Sequence, residues 1–137
     1  MANYYGQART NYFQVKDLNA WRQELTGYPV ELIEQKLDDG TIKVGFMDAN
    51  EDGGGLVWQL YDEEGNEIEI DWTDILARHL ADNEVAIIME TGAEKYRYMS
   101  GWALAVNNKK ETREISLAKD IYTLAQELGE NVTGATY

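Results

Sequence analysis

A short acidic stretch, residues 67–72, has the residue types and spacing that most clearly suggest a function. Its sequence is Glu-Ile-Glu-Ile-Asp-Trp, so acidic and apolar side chains alternate. In a strand, Glu67, Glu69 and Asp71 would share one face, about 6.6–6.8 Å apart, which is comparable with the path between successive phosphates of a nucleic acid. Arginine and lysine clusters that bind phosphates also accept carboxylates. The stretch therefore predicts a row of charges that a basic protein could bind, although ordinary surface strands alternate in the same way.

A second acidic segment has the start of a calcium-loop pattern. Asp48, Asn50, Asp52 and Gly53 match D-x-N-x-D-G. The twelfth position is Gln59, where such a loop needs a bidentate Glu, and the flanking segments have the pattern of strands. The glycines at positions 53–55 also lack the Lys-Ser/Thr that follows in a phosphate-binding loop. We therefore expect a glycine-rich hairpin loop without a cofactor, and weak calcium binding stays open.

The sequence offers few groups for catalysis. Cysteine is absent, His79 is the only histidine, and Ser100 and Ser116 are the only serines. A nucleophilic triad needs a nucleophile and a base that an orienting group holds, so this composition argues against one. We expect His79 to lie at the surface or at a helix cap. Chemistry that uses a pair of carboxylates stays open, but no pair stands out, and we predict that the protein is not an enzyme.

Two aromatic and basic clusters could contact a partner. Residues 95–98 are Lys-Tyr-Arg-Tyr, and Tyr4, Tyr5, Arg9 and Tyr12 lie near the start of the chain. Residues 95–98 could form a basic, aromatic strand that binds nucleic acid, but two cations are too few for this in a chain whose net charge is −13. We therefore expect a core strand whose Lys95 and Arg97 point outward.

The net negative charge is confined to the middle of the chain. Residues 31–84 contain 16 acidic and three basic side chains, whereas the segments on either side are almost balanced. Such a distribution creates a negative electrostatic potential around part of the surface. It argues against direct binding to nucleic acids or to anionic membranes and favours a basic partner, unless the charge serves only solubility.

The 137 residues are enough for one domain, which we take to span residues 1–137. We predict a strand over residues 10–15 and a helix that Asp17 caps and that Gly27 and Pro29 stop. The turn Asp38-Asp39-Gly40 predicts a hairpin between residues 31–37 and 41–46. Further strands are predicted over residues 56–61, 67–72, 84–90 and 97–106, with Gly92 and Glu94 in the turn between the last two.

Two more helices complete the prediction. One is capped by Thr73 or Asp71, runs through Leu80, and has Ile75 and Leu76 on its apolar side. The other starts near Ser116 and ends before Gly129. Its apolar residues share one helical face: Leu117, Ile121, Leu124, Ala125 and Leu128. The expected fold class is α+β, with a mostly antiparallel sheet of about six strands and two or three helices.

Two segments carry a resemblance to a known group of proteins. Residues 8–17 (ARTNYFQVKD) and 91–101 (TGAEKYRYMSG), together with the Tyr137 ending, resemble small acidic accessory proteins of phages, plasmids and other bacterial mobile elements. The resemblance implies an anti-defence role, such as anti-restriction or anti-CRISPR inhibition, in which many inhibitors are acidic mimics of nucleic acid. It transfers no catalytic residue.

These observations together predict a binding protein of the bacterial cytoplasm that blocks a basic nucleic-acid-handling complex of the host. The alternative is a structural or regulatory interaction module, in which the aromatic N-terminal patch or a sheet edge contacts the partner and the acids only confer solubility. The predicted partner-binding residues are Asp38, Asp39, Asp48, Glu51, Asp52, Asp62, Glu63, Glu64, Glu67, Glu69 and Asp71.

Overall fold

Eight strands and three helices form within residues 4–49 and 53–135, which are the residues that the computed structural model describes. The strands are β1 (Tyr5–Thr10), β2 (Val30–Lys36), β3 (Ile42–Asp48), β4 (Gln59–Tyr61), β5 (Glu67–Glu69), β6 (Val85–Glu94), β7 (Tyr98–Asn107) and β8 (Thr112–Ser116). The helices are α1 (Leu18–Leu25), α2 (Trp72–His79) and α3 (Leu117–Ala125). The larger sheet has the order β2-β3-β1-β6-β7-β8, and β4 pairs only with β5. All these pairs are antiparallel, so the predicted α+β class is confirmed.

The core lies between one face of the six-stranded sheet and helices α1 and α2. Trp21 of α1 stacks on Phe46 of β3, with ring centroids 6.4 Å apart, and Phe46 lies 4.9 Å from Trp72 at the start of α2. All three side chains are fully buried. Large aromatic side chains bury about 150–250 Å² each, so this cluster contributes much of the apolar burial that holds both helices against the sheet.

Side chains that accept a backbone N–H cap the three helices. Asp17 accepts from Ala20, Asp71 from Asp74, and Ser116 from Lys119. The predicted starts at Asp17 and Ser116 are therefore confirmed, and of the two candidate caps for the second helix Asp71 is the one used. The third helix ends at Ala125, and turns follow, so the prediction that it includes Leu128 and ends directly before Gly129 is wrong.

The first strand precedes its predicted position. We expected a strand over residues 10–15, but β1 ends at Thr10, and only isolated bridges at Phe13 and Val15 follow. The buried hydroxyl of Thr10 accepts the backbone N–H of Phe46 at 2.9 Å and donates to the carbonyl of Asn11. The Thr10 hydroxyl thereby takes the place of a backbone hydrogen bond between β1 and β3 at the point where the two strands separate. The two backbones are nevertheless close together at this point, since a Cβ on Gly45 would lie 2.5 Å from the Asn11 carbonyl oxygen.

The strands around residues 56–72 are shorter than the alternation predicts. β4 and β5 have three residues each instead of six. The carbonyl of Trp58 accepts the N–H of Ile70 outside the strand pair, and Ile70 is buried. The chain after Glu69 then turns to begin α2, because Asp71 caps that helix and Trp72 enters the core.

The β6–β7 hairpin is longer than predicted. Gly92 and Glu94 lie within β6, so the expectation that they form the turn is wrong, and the turn falls at residues 95–97. Lys95 occupies it with a φ of +50°, and Arg97 is in the same turn, so neither is an outward residue of a core strand. The edge strand β8 was not predicted; it pairs with β7 from Thr112 to Ser116. In the described part of the chain, no helix is long and apolar enough to cross a bilayer.

Replacing Thr10 by Val tests the hydroxyl bridge. The variant keeps the shape of the side chain but leaves the buried N–H of Phe46 without its acceptor, which should lower the free energy of unfolding by about 1–3 kcal/mol. Thr10→Ser keeps the hydroxyl and loses one methyl group, at a cost of about 0.8 kcal/mol. Urea unfolding measures both, and hydrogen exchange at the Phe46 amide should accelerate in the Val variant alone. Equal stability of the two variants would contradict this role of Thr10.

Candidate protein-binding surface

The β4–β5 hairpin presents most of the predicted carboxylates to solvent. Residues 61–69 are all exposed. Glu67 pairs with Tyr61 and Glu69 with Gln59, so the two carboxylates project from the same face of the hairpin. Among the described residues, the carboxylates of Glu63, Glu67 and Glu69 make no hydrogen bond or ion pair. The hairpin therefore carries negative charges that no cation of the described chain offsets.

Asp62 organises the turn of this hairpin. One of its carboxylate oxygens accepts the backbone N–H groups of Glu64 and Asn66 at 2.9 and 2.8 Å. These bonds, chiefly the one from the backbone of Asn66, lower the pKa of Asp62. Gly65 in the same turn has a φ of +83°, a conformation that glycine adopts without strain. Asp62 thus holds Glu63 and Glu64 in place, and its carboxylate is already engaged in the turn.

Asp71 does not continue the row of carboxylates. It lies beyond β5, where its side chain accepts the hydroxyl of Thr73 at 2.7 Å and the N–H of Asp74 at 3.1 Å. These hydrogen bonds, led by that of Thr73, lower the pKa of Asp71, and Lys110 adds to the effect from 3.4 Å. The prediction that residues 67–72 form one amphipathic strand with three aligned carboxylates is therefore wrong, and the aligned pair is Glu67 and Glu69.

Asp38 and Asp39 lie in a different hairpin, at the edge of the six-stranded sheet. They occupy the turn between β2 and β3, where Gly40 has a φ of +89°, which confirms the predicted hairpin. Both are exposed. The N–H of Thr41 donates to Asp39 at 2.9 Å and lowers its pKa, so Asp39 supports the turn. The structure thus divides the predicted acidic residues between two separate hairpins.

Asp48 is part of the fold. Its carboxylate accepts the backbone N–H of Ala8 at 2.6 Å, which joins the end of β3 to β1. Glu51 and Asp52 lie outside the described residues, as does Asn50 of the calcium-loop pattern. Gln59, at the twelfth position of that pattern, begins β4. Across the described ranges, no group of three or more acidic or histidine side chains is arranged to hold a metal ion.

His79 is hydrogen-bonded to an ion-pair network between α1 and α2. It is the last residue of α2 and is buried, with Nε2 2.5 Å from the Glu24 carboxylate. Of the two expected positions, the surface or a helix cap, the surface is therefore wrong. Arg78 forms a two-pronged pair with Glu24 and a second pair with Asp74. The pKa of Glu24 is lowered, chiefly by the hydrogen bonds from Arg78, and the pKa of Arg78 is raised, chiefly by those to Glu24. The network ties the two core helices together.

Glu90 is a buried carboxylate that the sequence did not single out. It lies on the core face of β6 and accepts the N–H of Leu56 at 2.8 Å. Its other oxygen accepts from Tyr4 at 3.1 Å and from the indole of Trp102 at 3.3 Å. Burial, followed by the charge of Glu90, raises the pKa of Tyr4. Glu90 therefore fastens the glycine-rich loop before β4 to the sheet, which places it among the structural groups.

The N-terminal aromatic cluster is only partly assembled. The guanidinium of Arg9 lies 5.6 Å from the ring centre of Tyr12, a cation–π distance, and Tyr5 is exposed. Tyr4, in contrast, is directed to Glu90. In the other cluster, Arg97 lies over Tyr98 at 5.2 Å, and Tyr96 is exposed in the turn. Neither cluster gathers several cations with open aromatic faces, the arrangement that single-stranded nucleic acids need.

Removing the Asp71 cap tests whether this residue is structural. Asp71→Ala leaves an N–H of α2 without its acceptor and should lower the free energy of unfolding by about 1 kcal/mol. Glu69→Ala removes an unpaired exposed carboxylate and should change it by less than about 0.5 kcal/mol. Chemical denaturation of the two variants beside the wild type makes the comparison. Equal effects of the two substitutions would contradict the assignment of Asp71 as the cap.

Acid should remove the stabilisation that Glu24 provides. Its pKa is lower in the folded protein than the ordinary value of 4.5, so the stabilisation is present above that pH and is lost as the pH falls through the folded pKa. The wild type should therefore be more stable than Glu24→Gln at neutral pH, and this advantage should shrink below about pH 4.5. Urea unfolding at a series of pH values measures it. An advantage that stays constant into strong acid would contradict the prediction.

The candidate surface thus comprises the exposed carboxylates of two hairpins, with the β4–β5 hairpin carrying the larger unpaired set. No protein-family model, no curated protein and no solved structure matches the chain.

Proposed function

We propose that this protein is a non-enzymatic inhibitor that binds a basic nucleic-acid-handling complex through its β4–β5 hairpin. The carboxylates of Glu63, Glu67 and Glu69, exposed and without partners among the described residues, are the observation that carries the proposal. In a bacterial cytoplasm, such a complex would belong to host defence of the restriction or CRISPR kind, as the resemblance to proteins of mobile elements implies. Inhibition would be competitive, because the hairpin and the nucleic acid would occupy the same basic groove.

The spacing of the charges supports a phosphate-like role. Glu67 and Glu69 share one face of a strand, about 6.8 Å apart, and the turn adds Glu63 and Glu64 beside them. Arginine forks bind carboxylates and phosphates in the same bidentate way. The net charge of −13 would also accelerate the encounter with a basic partner, and added salt would weaken that attraction.

The hairpin is arranged before binding. Asp62 fixes the turn through two backbone N–H groups, and the carbonyl of Trp58 accepts the N–H of Ile70 at the base. A charged loop that is already ordered loses less conformational entropy when it docks. The Asp38 and Asp39 turn could provide a second contact only if the partner also reaches the β2–β3 hairpin, so it is secondary in this proposal.

An interaction module that uses another surface is the second candidate. Tyr5, Met89 and Met99 are exposed apolar side chains on the six-stranded sheet. Contiguous apolar surface of this kind marks interaction sites in many proteins. If a partner bound there, the acidic hairpins would only keep the protein soluble, and neutralising them would leave binding unchanged.

Charge neutralisation with a matched control distinguishes the two candidates. One variant combines Glu63→Gln, Glu67→Gln and Glu69→Gln, and the control combines Glu114→Gln, Glu127→Gln and Glu130→Gln, which are exposed near the end of the chain. Both lose three negative charges, so a difference between them reports position and not net charge. We expect the hairpin variant to bind its partner at least about tenfold more weakly and the control to bind nearly as the wild type does.

The partner is first captured from a bacterial lysate on the immobilised chain at low salt, released at high salt and identified by mass spectrometry. A mobility shift with labelled duplex DNA and single-stranded RNA then measures whether the chain blocks nucleic-acid loading by the captured complex. Blocking that the hairpin variant loses and the control keeps supports the proposal. Equal blocking by both variants, or a captured partner that binds no nucleic acid, would overturn it.

A further inference from the structure

The face of the six-stranded sheet opposite α1 and α2 is largely uncovered. The strand register places one residue of each strand in a row across this face, in the order Glu31, Met47, Arg9, Met89, Ala103 and Ile115. Met89 and Ile115 are 55% and 67% exposed, and Val85, Met99 and Tyr5 on the same face are exposed as well. We call this surface the open face. Strands that are apolar on both sides, as β6 is over residues 85–89, are typical of sheets that are covered on both faces.

Helix α3 covers only the β7–β8 end of the open face. Leu117 packs on Gly101, where a Cβ would lie 3.0 Å from the leucine side chain. Leu117, Ile121 and Leu124 nevertheless stay 51–55% exposed, so the apolar side of the helix that the sequence pattern predicted is only half covered. Between this helix and the sheet lies a groove of about 500 Å³, lined mainly by apolar side chains such as Met89, Ala103 and Ile115.

The total exposed surface is larger than a compact monomer needs. The chain exposes 9535 Å². A compact protein of 15.6 kDa would expose about 7,300 Å². Part of the excess belongs to the chain after α3, most of which is exposed through residue 135. The whole excess, about 2,200 Å², is larger than the roughly 800 Å² that a standard interface buries on each partner, and permanent dimers bury more.

The open face also lacks the charge of the rest of the molecule. Arg9, Lys43 and Arg113 lie on it, against Glu31 and Glu111. It is therefore close to neutral in a chain whose net charge is −13. A second copy could approach here without placing two acidic surfaces against each other, whereas a strongly basic partner would find little charge to bind.

We propose that the open face and α3 form the interface of a homodimer. A two-fold axis parallel to the strands brings β2 and β3 of one copy opposite β7 and β8 of the other. The helix of each copy then lies over the half of the open face that the other copy's own helix leaves bare. The same symmetry places the edge strand that carries Glu31 opposite the edge strand that carries Arg113 in the second copy, so charges of opposite sign lie on facing sides of the helix layer. The apolar area and the signs of the charges therefore match across the two-fold axis.

Sedimentation velocity of the full chain tests the dimer, over about a hundredfold range of concentration, because the dimer fraction depends on concentration. We expect the wild type to reach twice the mass of 15.6 kDa. Added salt should strengthen this association, because it screens the repulsion between two acidic copies. Salt should weaken the binding of a basic partner to the acidic hairpin, so the two interactions respond to salt in opposite directions. A wild type that stays monomeric at the highest concentration and high salt would overturn the proposal.

Two lysine substitutions locate the interface. Met89→Lys places a charge at the centre of the open face, and Ile68→Lys places the same charge on β5, at a residue that is similarly exposed, 49% against 55%. Met89→Lys should weaken the dimer by at least about tenfold, and Ile68→Lys should leave it unchanged or slightly stronger. Circular dichroism verifies that each variant is folded. Equal dimerisation of both variants would overturn the assignment of this face.

Disulfide trapping provides a second measurement that does not depend on the folding of Met89→Lys. The chain has no cysteine, so single cysteines report position without background. An oxidised mixture of Met47→Cys and Leu124→Cys should give a covalent heterodimer, since α3 of one copy would lie over β3 of the other, at the row that contains Met47. A mixture of Ile68→Cys and Leu124→Cys should give little. A dimer in which the two mixtures crosslink equally would overturn the proposed arrangement.

Discussion

The burial of Trp72 is the interaction on which the rest of the structure depends. Its ring packs against Phe46 of β3 and Tyr28 beyond α1, and its indole N–H donates to the carbonyl of Val57 at 2.8 Å. One residue therefore joins the sheet, the start of α2 and the base of the β4–β5 hairpin. Because an unpaired buried donor costs about 1–3 kcal/mol, the indole bond fixes the orientation of the ring as well as its depth. The exposed carboxylates of the hairpin can project into solvent because this anchor holds the base.

The one-sided core follows from where the aromatic residues lie in the strands. Phe46 and Val44 of β3 and Ile88 of β6 point toward α1 and α2, so those helices cover a single face. The opposite face keeps Met47, Met89 and Ile115, which are apolar but unbranched or smaller than aromatic side chains. Methionine adapts to irregular partners and is frequent at binding surfaces. The fold thus places the buried aromatic side chains of the sheet on the core face and leaves methionine and isoleucine side chains on the open face.

Local signals predicted the elements whose ends depend on nearby residues. The Asp38-Asp39-Gly40 turn and the caps at Asp17 and Ser116 could be predicted because each acts within four residues. Residues 67–72 could not, since alternation shows only that a strand is favoured there, and the burial of Ile70 and Trp72 is a tertiary effect that overrides it. The amphipathic pattern of α3 indicated an apolar side but not what would cover it.

The same distinction applies to the candidate site. The exposure of Glu63 follows from its place in an acidic turn, and that of Glu67 and Glu69 from the alternation of acidic and apolar residues, so the sequence located this part of the surface. Asp48, Asp62 and Asp71 are also acidic, but their carboxylates accept backbone N–H groups. Whether a carboxylate is free or bonded in this way depends on distances of a few ångströms, which the sequence does not indicate. Glu90 has no local signal at all, because one of its partners, Tyr4, lies 86 positions earlier.

The acidic hairpin and the open face can operate together because they belong to different sheets. The hairpin is built from β4 and β5, whereas the open face is built from the six other strands and α3. If both proposals hold, each dimer would present two hairpins with one orientation fixed by symmetry. Two linked contacts raise avidity well beyond that of either contact alone when the partner offers two basic sites at a matching distance. A monomer with the same hairpin would lack that gain, so dimerisation through the open face would increase the affinity of the acidic hairpin for such a partner.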